Sequence, residues 1–177
     1  MNTGIDFASL KQALVRWVEA VLAEEVNGTV WYPWPGTKTP KPFIMLRLVG
    51  PHKIGRDNFD GSSLGGQRRF TVTVNAYAEN PNQLDQAGGG LSQAGGAIEL
   101  VSRLQTSLED PNVVDLLYGF NIGIGEIMDA VDLSEVLDTK YENRAAFDFF
   151  IFTSQNVPTD AGQITSAEVE NNIIPEV

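Results

Sequence analysis

Four carboxylates recur at three-residue steps in the second half of the chain: Asp129, Asp132, Glu135 and Asp138. On a helical turn that spacing would gather them on one side, as a Mg2+ or Ca2+ site requires. The series lacks the alternating ligands, the glycine and the twelfth-position glutamate of an EF-hand loop, and charge runs of this kind read first as a solvated acidic face. No metal site is assigned. Nothing in the sequence fixes the carboxylate separation that glycoside hydrolysis demands. His52, the only histidine, stands in Pro51-His52-Lys53 without a GxSxG serine motif, so it reads as a loop residue rather than a general base. The absence of cysteine removes disulfides, thiol nucleophiles and cysteine-based zinc or iron–sulfur sites.

Two glycine clusters, Gly88 to Gly90 and Gly95-Gly96, invite a phosphate-loop reading, because glycine lets backbone N–H groups approach an anion. No G-x-x-x-x-G-K-[ST] accompanies them, and Gly119, Gly123 and Gly125 stand in the wrong order for GxGxxG. A flexible helix entry accounts for the clusters, and no cofactor is expected. Trp31, Tyr32 and Trp34 sit beside prolines. They fit a sugar platform or a protein contact as well as a cap on the end of a sheet.

These residues need elements to position them. Phe7, Leu10, Leu14, Trp17, Val18, Val21 and Leu22 recur at helical spacing after Asp6, a good N-cap, and predict an amphipathic helix over 7–22. Thr29 to Trp34 is β-rich, and the four prolines and one glycine of Pro33 to Pro42 read as a rigid loop. Phe43 to Val49 and the alternating Arg68 to Tyr77 predict two strands, joined through a glycine-bearing loop from Gly50 to Gln67 as a hairpin with a long tip. Asn80-Pro81 marks a helix entry, and Ile98, Val101, Leu104 and Leu108 form one apolar stripe that Pro111 terminates. A short helix or strand follows from Val113, then a strand through Phe120 to Met128, an acidic connector over 129–138, and the most strand-like segment, Arg144 to Thr153, placed at the centre of the sheet.

The order predicts an α+β fold: two main helices on one face of a mostly antiparallel twisted sheet, with a long hairpin loop. One domain over 1–155 and a C-terminal arm or edge strand over 156–177 are expected, with no repeat. Net charge is −11, and the halves differ: residues 1–100 carry nine basic and nine acidic side chains, residues 101–177 three against fourteen. That field opposes conventional nucleic-acid binding. No N-terminal signal pattern and no spanning apolar run is visible, so a cytoplasmic, membrane-free chain is expected.

Asp138-Thr139-Lys140-Tyr141-Glu142-Asn143-Arg144-Ala145-Ala146-Phe147-Asp148 resembles a (D)xxYExRAxFD-like strand of tailed-bacteriophage neck and tail terminator proteins. An N-terminal helix, a Trp-plus-Pro segment before Pro42 to Leu48 (PFIMLRL), a glycine-bearing loop, Arg68 to Glu79 (RRFTVTVNAYAE) and a second helix occur in the same order, over roughly residues 7–153. The resemblance implies a structural virion protein, not an enzyme, assembled in the host cytoplasm. It implies a homo-oligomeric ring, commonly a hexamer, at the head-proximal end of the tail. Its partners would be the tail tube protein, possible sheath protein and the head connector or neck proteins, with DNA passing through without specific binding. His52, Lys53, Arg56, Asp57, Phe59, Trp31, Trp34 and Arg144 are then candidate interface residues, and Asp129, Asp132, Glu135 and Asp138 a candidate acidic channel face. Another neck, collar or head–tail joining component is the alternative, and a metal-dependent enzyme using residues 129–138 the more distant one.

Overall fold

The structure, a computed structural model, describes residues 4–33, 39–59, 63–78, 96–137 and 140–158. The Asn80-Pro81 entry and the glycine clusters up to Gly95 lie outside the described residues. Asp6 begins the first helix: its carboxylate accepts from the backbone N–H of Ala8 and Ser9 and from the Ser9 hydroxyl, which satisfies donors that a helix start leaves without partners. Those contacts, the Ser9 hydroxyl first, hold the Asp6 carboxyl below its ordinary pKa. This helix, α1 (Phe7–Leu22), buries Leu10, Ala13, Leu14, Trp17, Val18 and Leu22 along one stripe.

The strands follow as β1 (Thr29–Trp31), β2 (Phe43–Phe59) and β3 (Ser63–Ala78). Helices α2 (Ala97–Ser107) and α3 (Pro111–Tyr118) come next, then β4 (Gly123–Ile127), β5 (Val131–Asp132), β6 (Glu135–Leu137) and β7 (Lys140–Pro158). The main sheet has the order β1-β2-β3-β7-β4, with β5 and β6 also on β7. Every pairing is antiparallel except β1 with β2. The fold is therefore α+β, and β7 is central, as its apolar alternation predicts.

Along β3 and β7, Phe70, Val72, Val74 and Ala76 stand opposite Ile151, Phe149, Phe147 and Ala145, and all eight are buried. The helices cover that face. Trp17 is fully buried, lies edge-on to Phe149 at 5.4 Å, and donates its indole N–H to the Ser107 hydroxyl at 2.9 Å. One side chain thus ties α1 to α2 and to the central strand. Burial of such a ring is worth about 3–5 kcal/mol against alanine.

Two expectations change. The predicted loop from Gly50 to Gln67 is mostly strand: β2 and β3 pair out to Phe59 and Leu64, and β7 follows β3 to Pro158. Register shifts between Val49 and His52 and between Ile54 and Asn58 absorb the irregular residues without ending the ladder. Gly50 takes φ +136°, and a Cβ there would meet the Phe70 ring at 2.9 Å, so glycine serves the kink instead of breaking the strand. Ile98, placed in the apolar stripe of α2, is exposed. The buried stripe is Ala97, Leu100, Val101 and Leu104. At the C-terminal end, Asn156 to Pro158 continue β7, and residues 159–177 of the expected arm lie outside the described residues.

Candidate functional site

The hairpin residues form one edge of the sheet. His52 and Arg56 are exposed on β2 beyond the reach of β1, where β2 is itself the edge strand among the described residues. Asp57 is not a free contact residue. Its carboxylate accepts from Arg68 at 2.7 Å and from Lys53 at 2.9 Å, and only 12% of its side chain is exposed. The Arg68 hydrogen bond, followed by that of Lys53, brings the Asp57 carboxyl down to about 2. The carboxylate sits over Gly66, where a Cβ would lie 2.0 Å from Oδ1. Phe59 closes the ladder opposite Leu64.

At the base of the same edge, Trp31 lies on β1 with the Lys11 ammonium 5.2 Å from its ring centre, and Tyr32 carries the Arg47 guanidinium at 5.1 Å. Trp34 lies outside the described residues. Of the two readings left open for the aromatic cluster, Trp31 fits the sheet cap, since it packs partly buried against the core, whereas Tyr32 is exposed.

Arg144 serves the sheet. Its Nη2 and Nε donate to the Asn75 amide oxygen at 2.8 and 3.3 Å, across the β3–β7 pair. The guanidinium also covers the Tyr77 ring, which stacks on Phe43 at 4.7 Å. Burial raises the Tyr77 hydroxyl above its ordinary pKa, with Arg144 opposing the shift.

The acidic series belongs to the opposite edge. Asp129 is exposed on the connection after β4, Asp132 lies in β5 and Glu135 begins β6, while Asp138 lies outside the described residues. Extended backbone replaces the helical turn that would have grouped them. Among the described residues, no three His, Cys, Asp or Glu side chains gather as a metal site would need. Asp132 instead caps a turn: it accepts from the Ser134 N–H at 2.9 Å, and the Ser134 contacts lower its pKa. Exposed Met128, Val131 and Leu133 interleave with these acids, a feature that sequence reading passed over although the alternation is visible in Met128 to Ser134.

Apart from Arg144 on the central strand, the two sets of candidate residues lie on opposite edges of the sheet among the described residues. Asn75, Arg47 and Lys11 are structural partners that the sequence did not single out, because each is defined by a cross-strand or helix–strand contact.

A family model described as phage neck terminator protein matches residues 8–176. The chain belongs to the phage neck terminator family. Among solved structures, the PVC sheath/tube terminator of an extracellular contractile injection system, in the extended state, is similar at 13% identity and a TM-score of 0.49. The similarity covers 100% of this chain and 65% of that one, so the chain spans about two thirds of its length. A comparison with curated proteins found no match. Membership of the terminator family assigns the chain to the tail of a phage-like particle as a structural component. Among the described residues, no helix is long and apolar enough to cross a membrane.

Proposed function

We propose that this chain forms a ring at the head-proximal end of a phage tail, halts growth of the tail tube and presents a surface to the head connector. The observation that carries this reading is the family match, which covers all three helices but for Phe7 and every strand of the sheet. The geometry supports it in two ways. A three-stranded extension of β2, β3 and β7 provides an arm suited to reaching a neighbour, and the Asp57–Arg68 ion pair ties β2 to β3 along it. Asp6, Asp57 and Asp132 are occupied in caps and ion pairs, and among the described residues no three His, Cys, Asp or Glu side chains gather as a metal site would need, which supports a structural role. The net charge of −11 suits a component past which DNA moves without capture, since a negative field does not hold phosphates. The partners in this reading are the tail tube protein, a sheath protein where the tail has one, and a neck protein.

Adding the purified chain to polymerising tail tube protein of the same particle tests the proposal. Substoichiometric protein is expected to shorten the tubes and arrest their growth. Tubes that elongate at the same rate to the same lengths would overturn it.

A further inference from the structure

We infer that the two edges of the sheet are the two halves of one head-to-tail contact, in which the basic edge of one copy seats on the acidic, apolar edge of the next. This inference rests on the ring reading and specifies the surfaces that build the ring.

The receiving edge is apolar at its centre. Val131 is 53% exposed and Leu133 41%, and Met128, three residues before Val131, is exposed as well. The strip is firmly backed: Gln105 Nε2 on α2 donates to the Met128 carbonyl at 2.8 Å. Leu133 N–H donates to the Arg144 carbonyl at 2.8 Å, which fixes the connection after β5 to the central strand. Exposed Glu126, Asp129, Asp132 and Glu135 flank these residues along the chain, and no lysine or arginine occurs between Arg103 and Lys140. Three exposed apolar side chains interleaved with acids make a contact surface rather than an ordinary solvated edge.

The complementary surface is on the same molecule. At the β1–β2 edge, Tyr32 and Val49 are exposed apolar groups, and the exposed Arg47, His52 and Arg56 follow one another along β2, Arg47 lying over the Tyr32 ring. Lys53 is already held by Asp57. Apolar centre thus matches apolar centre, and basic rim matches acidic rim. Because the patches lie on opposite edges, each copy offers one and receives one. Such a heterologous contact closes into a ring when its rotation divides the circle. It excludes the two-fold alternative, which would set acid against acid or base against base. Asp129, Asp132 and Glu135 are on this assignment subunit contacts rather than a channel wall.

The chain has no cysteine, so introduced thiols report cleanly. Val49→Cys and Val131→Cys place one thiol on each edge at exposed positions. With a short bismaleimide, the doubly substituted chain is expected to give a ladder of linked species, each single variant only monomer, and a mixture of the two singles a linked dimer. Single variants that link to themselves, or a double variant that does not link, would overturn the inference. Charge reversal provides the second measurement. Arg47→Glu with Arg56→Glu, or Asp129→Lys with Asp132→Lys, should each raise the midpoint concentration for self-association roughly tenfold or more in sedimentation, and mixing the two should restore it. Unaltered midpoints with unaltered melting would contradict the assignment, as would a chain that stays monomeric at the highest attainable concentration. Rings that form without the Val49–Val131 link would sink these surfaces and leave the ring standing. Unaltered tube growth would sink the ring itself.

Discussion

The Asp57 carboxylate lies 2.7 Å from the Arg68 guanidinium, in space that exists only because residue 66 has no side chain. The hairpin arm is therefore locked by a cross-strand ion pair seated on a glycine. Gly66→Ala should push the carboxylate off Arg68 and loosen the arm without unfolding the helix-covered sheet. Hydrogen exchange is the measurement: faster exchange is expected in residues 51–58 and 63–68, with the Phe70 to Ala76 amides unchanged.

The same pair gives a pH signature. Asp57 is held down to about 2 in the folded chain, against an ordinary value of 3.8. Below 3.8 the unfolded chain takes up a proton that the folded chain refuses. The stabilisation is complete above about pH 4 and is lost as pH falls toward 2. Asp57→Asn should flatten the acid limb of stability in that window, measured by denaturant titration at several pH values. An unchanged limb would show that the ion pair is not formed.

Asn143 caps a helix 46 residues earlier in the chain. Its buried amide oxygen accepts from the Ala97 N–H at 3.1 Å, and the N-cap residue of α2, Gly96, supplies no side chain of its own. Asn143→Ala should leave that donor buried and unsatisfied, at about 1–3 kcal/mol in denaturant unfolding. Asn143→Asp, which keeps an acceptor at the helix start, should recover part of the loss.

Arg144 and Trp17 separate sheet contacts from core packing. Arg144→Lys loses the planar fork that bonds Asn75 while covering Tyr77, and the buried Asn75 amide is then short of a donor, at about 1–3 kcal/mol. Trp17→Ala should cost about 3–5 kcal/mol, and Trp17→Phe less, because the Ser107 hydroxyl still donates to the Leu104 carbonyl at 2.7 Å.

Much of this fold was legible in the sequence where the cause is local. Asp6 sits where an N-cap must sit, and the alternation in Arg144 to Thr153 marks a strand buried on one face. The hairpin was read too short because Gly50, Gly55 and Gly65 look like turn residues, while the contacts that keep the strands paired, Asp57 with Arg68 and Asn58 with Gly65, cross from one strand to the other. The same limit applies to the site. The acids at 129–135 stand out by type and spacing, and the interface candidates at 52–57 come from the family resemblance. Their placement on opposite edges follows from strand order, and the strapping of β7 to β3 by Arg144 follows from Asn75, on the neighbouring strand. Ile98 fits an apolar stripe by spacing alone, yet the helix rotates it outward because Ala97, Leu100, Val101 and Leu104 fill the core.

The central claim is that this chain closes the end of a tail tube. Imaging isolated tails that carry a Tyr118→Cys variant, at a position 76% exposed and outside both edges, coupled to a gold particle tests it most directly. The account predicts label confined to the head-proximal end of each tube, in a single ring. Label distributed along the tube, or absent from tails that have stopped growing, would contradict it.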